Sequence, residues 1–231
     1  MRRTRYPEKA MPPTPQAVVF DFDGIIVDSE PAHYRAFQVV LEPRGLGYAW
    51  DRYIDYYMGL DDRDGFREAF RAAGQEVGQD ELEELIAAKH AAFEGEMAVG
   101  LDPIPGAVDC VRRLREVFPL AVCSGALRGE VLPTLEGLGI AAAFRTVVSA
   151  EDVAHSKPDP ASYRLAVERL GADLKRDLEP GACVAIEDTP TGAASARDAG
   201  LLVIGLDPQG AGPEGAHRTV RSLDELTAEN L

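Results

Sequence analysis

Short, nearly continuous apolar runs alternate with stretches of helical periodicity along most of this chain. The runs cover residues 17–20, 120–123, 146–148, 183–186 and 201–206, and polar, glycine or proline residues interrupt the sequence between them. Near-continuous apolar strands separated by helices predict an α/β fold with a parallel sheet covered on both faces. Asp159 as cap and Pro160 at the first position predict one helix, with Tyr163, Ala166, Val167 and Leu170 facing inward and Gly171 closing it. Another is predicted after Thr189, carrying Ala193, Ala194 and Ala196 and ending at Gly200.

About a hundred residues separate the first two strands, far more than the ~10–12 that a strand crossover needs. Four helical stripes fill that stretch: Tyr34, Phe37, Val40 and Leu41; Trp50, Ile54, Tyr57 and Met58; Phe66, Ala69, Phe70 and Ala73; and Leu82, Leu85, Ile86, Lys89 and Phe93. The pattern predicts a helical bundle over residues 31–103, inserted into a core formed by 16–30 and 104–231. Pro103, Pro105 and Gly106 mark its return hinge.

Composition narrows the classes. At 231 residues, 45% apolar and 27% charged, the chain has the make-up of a globular protein. Its longest strand-like run stops after six residues, against the ~18 that a membrane span needs. A net charge of −15 disfavours a protein that binds nucleic acid by neutralising phosphates. It also means that an anionic substrate is opposed by the overall field unless local cations or a metal reverse it. Three scattered cysteines, Cys110, Cys123 and Cys183, fit neither a disulfide framework nor a zinc cluster and suit a reducing cytoplasm. Residues 1–15, basic and proline-rich without the apolar core of a secretory signal, are expected to form a disordered tail.

The polar residues just after the apolar runs carry the candidate chemistry. Asp21 and Asp23 close the first strand, with Gly24 behind them, where open parallel sheets bind ligands. An acidic turn is the alternative; a calcium loop is excluded because Ile25 occupies the next ligand position. Ser124 and Gly125 end the second strand, Lys157 follows the third, and Glu187 with Asp188 ends the fourth. Taken singly, these residues read as a helix cap, a solvated cation and an acidic cap. Taken together, parallel strands bring Asp21, Ser124, Lys157 and Asp188 to one edge, a carboxylate cluster that a metal and a lysine explain.

The segments DFDGIIVDS, VCSGA, SKPDP and IEDTPTGAASARDAG resemble, in order and character, the four motifs of the haloacid dehalogenase superfamily. The inserted bundle resembles the α-helical cap of its phosphatase and β-phosphoglucomutase-like branch. The resemblance implies a Rossmann-like core and a Mg²⁺-dependent phosphatase. The expected substrate is a small phosphorylated metabolite, a sugar phosphate or phosphoacid, hydrolysed through an aspartyl-phosphate. A sugar phosphomutase is the alternative, and a noncatalytic metabolite-binding protein a third reading. By position, Asp21 is the expected nucleophile and Asp23 the acid and base. Ser124 and the amides of Gly125 and Ala126 would hold the phosphoryl oxygens beside Gly24, and Lys157 would neutralise charge. Mg²⁺ would take Asp21, the carbonyl of Asp23, and Asp188, with Glu187 as a direct or indirect ligand. Asp23 favours phosphoryl transfer over halide displacement.

The helical insertion carries thinner signals. His33 lies twelve residues after Asp21, a spacing that resembles the family's sugar phosphomutases; a helix-face histidine is the alternative. Arg63, in MGLDDR, is a candidate substrate contact or an exposed residue behind a helix cap formed by Asp61 and Asp62. Arg128 is a candidate substrate contact or a solvated cation. Lys89, the only lysine of the insertion, sits too late in its helix to suit the Schiff-base lysine of a phosphonatase. His155 has no assigned role. No nucleic-acid or membrane partner is expected, and the assembly is expected to be a monomer or weak homodimer.

Overall fold

Apolar runs with no polar alternation become interior strands, because a strand covered on both faces has no solvent side to mark. In this computed structural model, which describes residues 14–58 and 60–231, every residue of β1 (Ala17–Phe20) is buried. A two-residue strand β2 (Val27–Asp28) follows, then four helices: α1 (Glu30–Leu41), α2 (Trp50–Tyr56), α3 (Asp62–Ala72) and α4 (Gln79–Val99). The chain continues through β3 (Asp102–Pro103), α5 (Ala107–Leu114), β4 (Leu120–Cys123), α6 (Arg128–Gly137), β5 (Phe144–Val148) and α7 (Ala161–Leu174). It ends with β6 (Cys183–Glu187), α8 (Pro190–Asp198), β7 (Leu202–Leu206) and β8 (Arg218–Val220). The tail expected over residues 1–15 lies, up to residue 13, outside the described residues.

The chain divides into an α/β unit, ending at Asp28 and resuming over Asp102–Leu231, and a helical unit, Ser29–Leu101. The α/β unit holds a six-stranded sheet in the order β5-β4-β1-β6-β7-β8, with all neighbours parallel. One face packs Val19, Ala121, Ala185 and Val203 against Tyr163, Ala166 and Leu170 of α7 and Ala193 and Ala196 of α8. The expected α/β sheet is therefore present. Its unforeseen member is β8, an edge strand of mixed character; β2 and β3 pair antiparallel in a separate two-stranded sheet, also unforeseen.

Two local expectations are corrected. Helix α7 runs past Gly171 to Leu174 and stops at Lys175 in the left-handed region. Gly171 serves packing instead, since a Cβ there would come within 2.9 Å of the Arg176 carbonyl oxygen. In the helical unit, Trp50, Ile54 and Met58 are exposed, while Tyr53 and Tyr57 turn inward. Polar and aromatic partners decide that face. The Tyr53 hydroxyl donates to Glu30 at 2.5 Å, and the Tyr57 ring stacks on Tyr48 at 4.0 Å. The rest of that core joins Phe37, Leu41, Phe66, Phe70, Leu82 and Leu85, whereas Ala73, just beyond α3, is exposed. Among the described residues no helix is long and apolar enough to cross a membrane.

Candidate active site

Register sets the site. Phe20 pairs with Val122 of β4 and with Ile186 of β6, so the next residues, Asp21, Cys123 and Glu187, come level at the carboxyl edge. Lys157, arriving after β5, spans all three. Its ammonium donates to Asp21 Oδ1 at 2.7 Å, Glu187 Oε1 at 2.7 Å and the Cys123 carbonyl at 3.1 Å. The Tyr163 hydroxyl, fully buried on α7, donates to the same Glu187 oxygen at 2.6 Å. Thr189 Oγ1 lies 3.4 Å from Glu187 Oε2.

Glycines make room for the acids. Gly24 has φ +74°, and a Cβ there would fall 1.9 Å from Asp188 Oδ2. At Gly192, a Cβ would fall 2.0 Å from the Glu187 carboxylate oxygens. Asp21, Glu187 and Asp188 each present an oxygen within 4.8 Å of the other two. Asp188 Oδ1 is buried with no hydrogen-bond partner. Burial, reinforced by the Glu187 charge, pushes the Asp188 carboxyl up to about 7. Burial and Glu187 also raise Asp21, against the pull of Lys157. Burial opposes the Lys157 charge, but Asp21 and Glu187 outweigh it and raise its pKa. Two buried carboxylates thus share one ammonium, and a third, half-buried, stands beside them with no ion-pair partner among the described residues. An all-oxygen set with excess negative charge and one orphaned acceptor fits a hard divalent cation.

Asp23 is half-buried in the following turn, bridged to Val27, with the Gly24 amide donating to the Val27 carbonyl at 2.8 Å. Ser124 is buried beyond β4, and its hydroxyl accepts from the Ala126 amide at 2.9 Å. Gly125 is exposed and Ala126 half-buried; α6 begins only at Arg128, two residues further on. The Arg128 guanidinium pairs with Asp152 at 2.5 Å. His155 is exposed, and all three cysteines are free and buried.

The helical unit contains a second polar cluster. Lys89, on α4, is 3% exposed and donates to Asp62 Oδ1 on α3 at 2.7 Å. Its ammonium also lies 2.9 Å from His33 Nδ1 on α1. The His33 ring stacks on Phe93 at 4.1 Å, and burial with the neighbouring Lys89 charge lowers its pKa to about 3. His33 is therefore neutral, with Nδ1 as the acceptor. Arg63 is exposed in the first turn of α3, whose cap is Asp61, accepting from the Asp64 amide at 2.8 Å. The sequence signal for this cluster was a lysine in the inward row of an otherwise apolar stripe; its partners were not apparent.

Residues 18–206 match the sequence profile of the haloacid dehalogenase-like hydrolases. The chain belongs to that family. A fructose-1-phosphate phosphatase of Escherichia coli is 32% identical over 186 residues, 80% of this chain and 92% of that protein. A phosphorylated carbohydrates phosphatase of Thermotoga maritima is 30% identical over 189 residues, 80% of this chain and 82% of that protein. Among solved structures, a haloacid dehalogenase family hydrolase of Deinococcus radiodurans, crystallised with phosphate and sodium, superposes with TM-score 0.74 at 28% identity, covering 93% of this chain and 94% of that one. The resemblance carried by the four motifs therefore holds, and the chain is a phosphoric monoester hydrolase of the haloacid dehalogenase-like family.

Proposed function

We propose that this protein is a Mg²⁺-dependent phosphatase acting on a small phosphorylated carbohydrate, with Asp21 as nucleophile. The observation that carries the reading is the charge imbalance around Asp21: three clustered carboxylates, two of them buried, one lysine and a buried Asp188 oxygen with no donor. The sugar-phosphate activities named for the relatives in Escherichia coli and Thermotoga maritima support the substrate class.

Phosphate monoesters are among the most inert biological substrates, and their hydrolysis demands accelerations up to ~10²¹-fold, supplied by positioning and charge. Asp21 and Asp188, with the Asp23 carbonyl, would hold Mg²⁺, which supplies neutralisation between a carboxylate nucleophile and a dianionic phosphoryl group. Lys157 fixes Asp21 Oδ1 and leaves Oδ2 to attack phosphorus. The new O–P bond forms as the ester O–P bond breaks in line, and Asp23 delivers its proton to the departing sugar oxygen. Asp23 then takes a proton from the water that attacks the aspartyl-phosphate, releasing inorganic phosphate and restoring Asp21. Ser124 and the adjoining turn hold the phosphoryl oxygens.

The test is inorganic phosphate release across a panel of sugar phosphates and phosphoacids, with Mg²⁺ and with chelator. Metal-dependent release is expected, highest for a carbohydrate ester. Isomer conversion without stoichiometric phosphate would overturn the reading in favour of a phosphomutase.

A further inference from the structure

The turn that follows β4 has little of its own to hold it in shape. Gly125 is exposed, and α6 does not begin until Arg128. Beyond the Ala126 amide's bond to the Ser124 hydroxyl, its order comes from the end of β5 and the segment after it. The Ser124 amide donates to the Val148 carbonyl at 2.9 Å, and the Ala150 amide donates to the Ala126 carbonyl at 2.9 Å. The Arg128 amide, at the start of α6, donates to the Glu151 carboxylate at 2.9 Å.

One side chain ties these pieces together. Asp152 Oδ2 accepts from the Ser149 amide at 2.9 Å and its hydroxyl at 3.0 Å, closing the turn that presents Ala150 and Glu151. The same oxygen accepts from Arg128 Nη2 at 2.5 Å, while Oδ1 accepts from Arg169 Nη2 of α7 at 2.7 Å. Both guanidinium groups also reach the Val147 carbonyl. The Asp152 side chain is 14% exposed. Its hydrogen bond from Arg169, together with those from Ser149, holds the carboxyl below the usual range. Arg169 belongs to the helix whose Tyr163 grips Glu187, so Asp152 ties the Ser124 turn to the element that steadies the Lys157 partner.

We infer that Asp152, acting through Arg128, is a positioning residue for the turn of Ser124, Gly125 and Ala126 that holds the transferring phosphoryl group. The inference rests on the phosphatase reading and adds to it the group that keeps the phosphoryl cradle in register. Neither side chain needs to touch substrate. Misplacing a catalytic group by about 1 Å can cost ~10²-fold, so a slackened turn lowers kcat more than it raises KM.

The experiment compares Asp152→Asn, Arg128→Ala, Arg128→Lys and the Asp152→Asn/Arg128→Ala double variant with the wild type. Phosphate release from a responsive sugar phosphate is measured in Mg²⁺, alongside amide hydrogen exchange. Each of the two disruptive single variants is expected to lose about tenfold or more in kcat, with KM within about threefold. The double variant is expected to be no worse than the poorer single one, because both break the same link. Arg128→Lys is expected to recover part of the loss. Exchange at the Gly125, Ala126 and Leu127 amides is expected to accelerate while strand β1 stays protected, a readout that needs no turnover. A wild type that releases phosphate, with variants whose turn amides exchange as before or whose kcat is unchanged, overturns the positioning role alone. A wild type that releases phosphate from no ester overturns the phosphatase reading and, with it, the role assigned to the turn.

Discussion

Each unit of this protein buries a lysine against carboxylates, and the two clusters differ in how their charges balance. In the helical unit, Lys89 meets one carboxylate, Asp62, a neutral imidazole and the faces of Phe37 and Phe93 at 5.1 and 5.2 Å. In the α/β unit, Lys157 meets Asp21 and Glu187, with Asp188 adding a third carboxylate and an orphaned oxygen. Burial of charge is common to both, and a buried ion pair by itself argues for neither stability nor function. The excess separates them. A satisfied cluster is a finished piece of structure, whereas one short of a cation describes what it is built to receive.

The largest effect that would sharpen this contrast is on turnover. Asp21→Asn should lower phosphate release at least ~10³-fold while leaving cooperative thermal unfolding in place. Residual turnover near the wild-type rate would remove Asp21 as nucleophile.

Next comes a pair of matched substitutions with opposite signs. Asp62→Asn strips Lys89 of its carboxylate and should destabilise the protein by about 1–3 kcal/mol in denaturant unfolding, discounted because Asp62 is partly exposed. Asp188→Asn removes the surplus charge and should stabilise the metal-free protein by about 1–3 kcal/mol at pH 8, while abolishing any rise in Tm on adding Mg²⁺. The pH sign follows from the raised Asp188 pKa. The unfolded carboxyl titrates near ~3.9 and the folded one at about 7, so the ionised group costs metal-free stability progressively between those values. Metal-free wild type should therefore gain stability from this group as pH falls from 7 to 4. Equal signs for the two substitutions would break the contrast.

The smallest effect is the acid sensitivity of the helical unit. His33 is held near pKa 3 against ~6.5 when unfolded, so the unfolded chain binds the extra proton below pH 6.5. Stability should fall with acid by up to ~1.4 kcal/mol per pH unit, and His33→Gln should remove that slope. An unchanged slope in urea unfolding between pH 6.5 and 5 would contradict a neutral, buried His33.

The α/β unit was more legible in the sequence than the helical one, for a physical reason. Strands buried on both faces are written as unbroken apolar runs, and whatever follows them lies at one edge, so Asp21, Ser124, Lys157 and Asp188 could be assembled from order alone. Helical faces are decided by competition among neighbours. Trp50 and Ile54 had the right spacing to turn inward, but Tyr53 found Glu30 and Tyr57 found the Tyr48 ring. The pairing of Lys89 with Asp62 joins residues far apart on separate helices, which periodicity cannot register. The same holds for Asp152, whose partners Arg128 and Arg169 lie on two helices flanking β5 in sequence.

The proposed phosphatase chemistry depends on a divalent cation completing the carboxylate excess around Asp21. Its most direct test is phosphate release from a sugar phosphate by wild type and Asp21→Asn, each with Mg²⁺ and with chelator. Release is expected from the wild type with Mg²⁺ and essentially none in the other three conditions. Comparable release in chelator, or by Asp21→Asn with Mg²⁺, would contradict it.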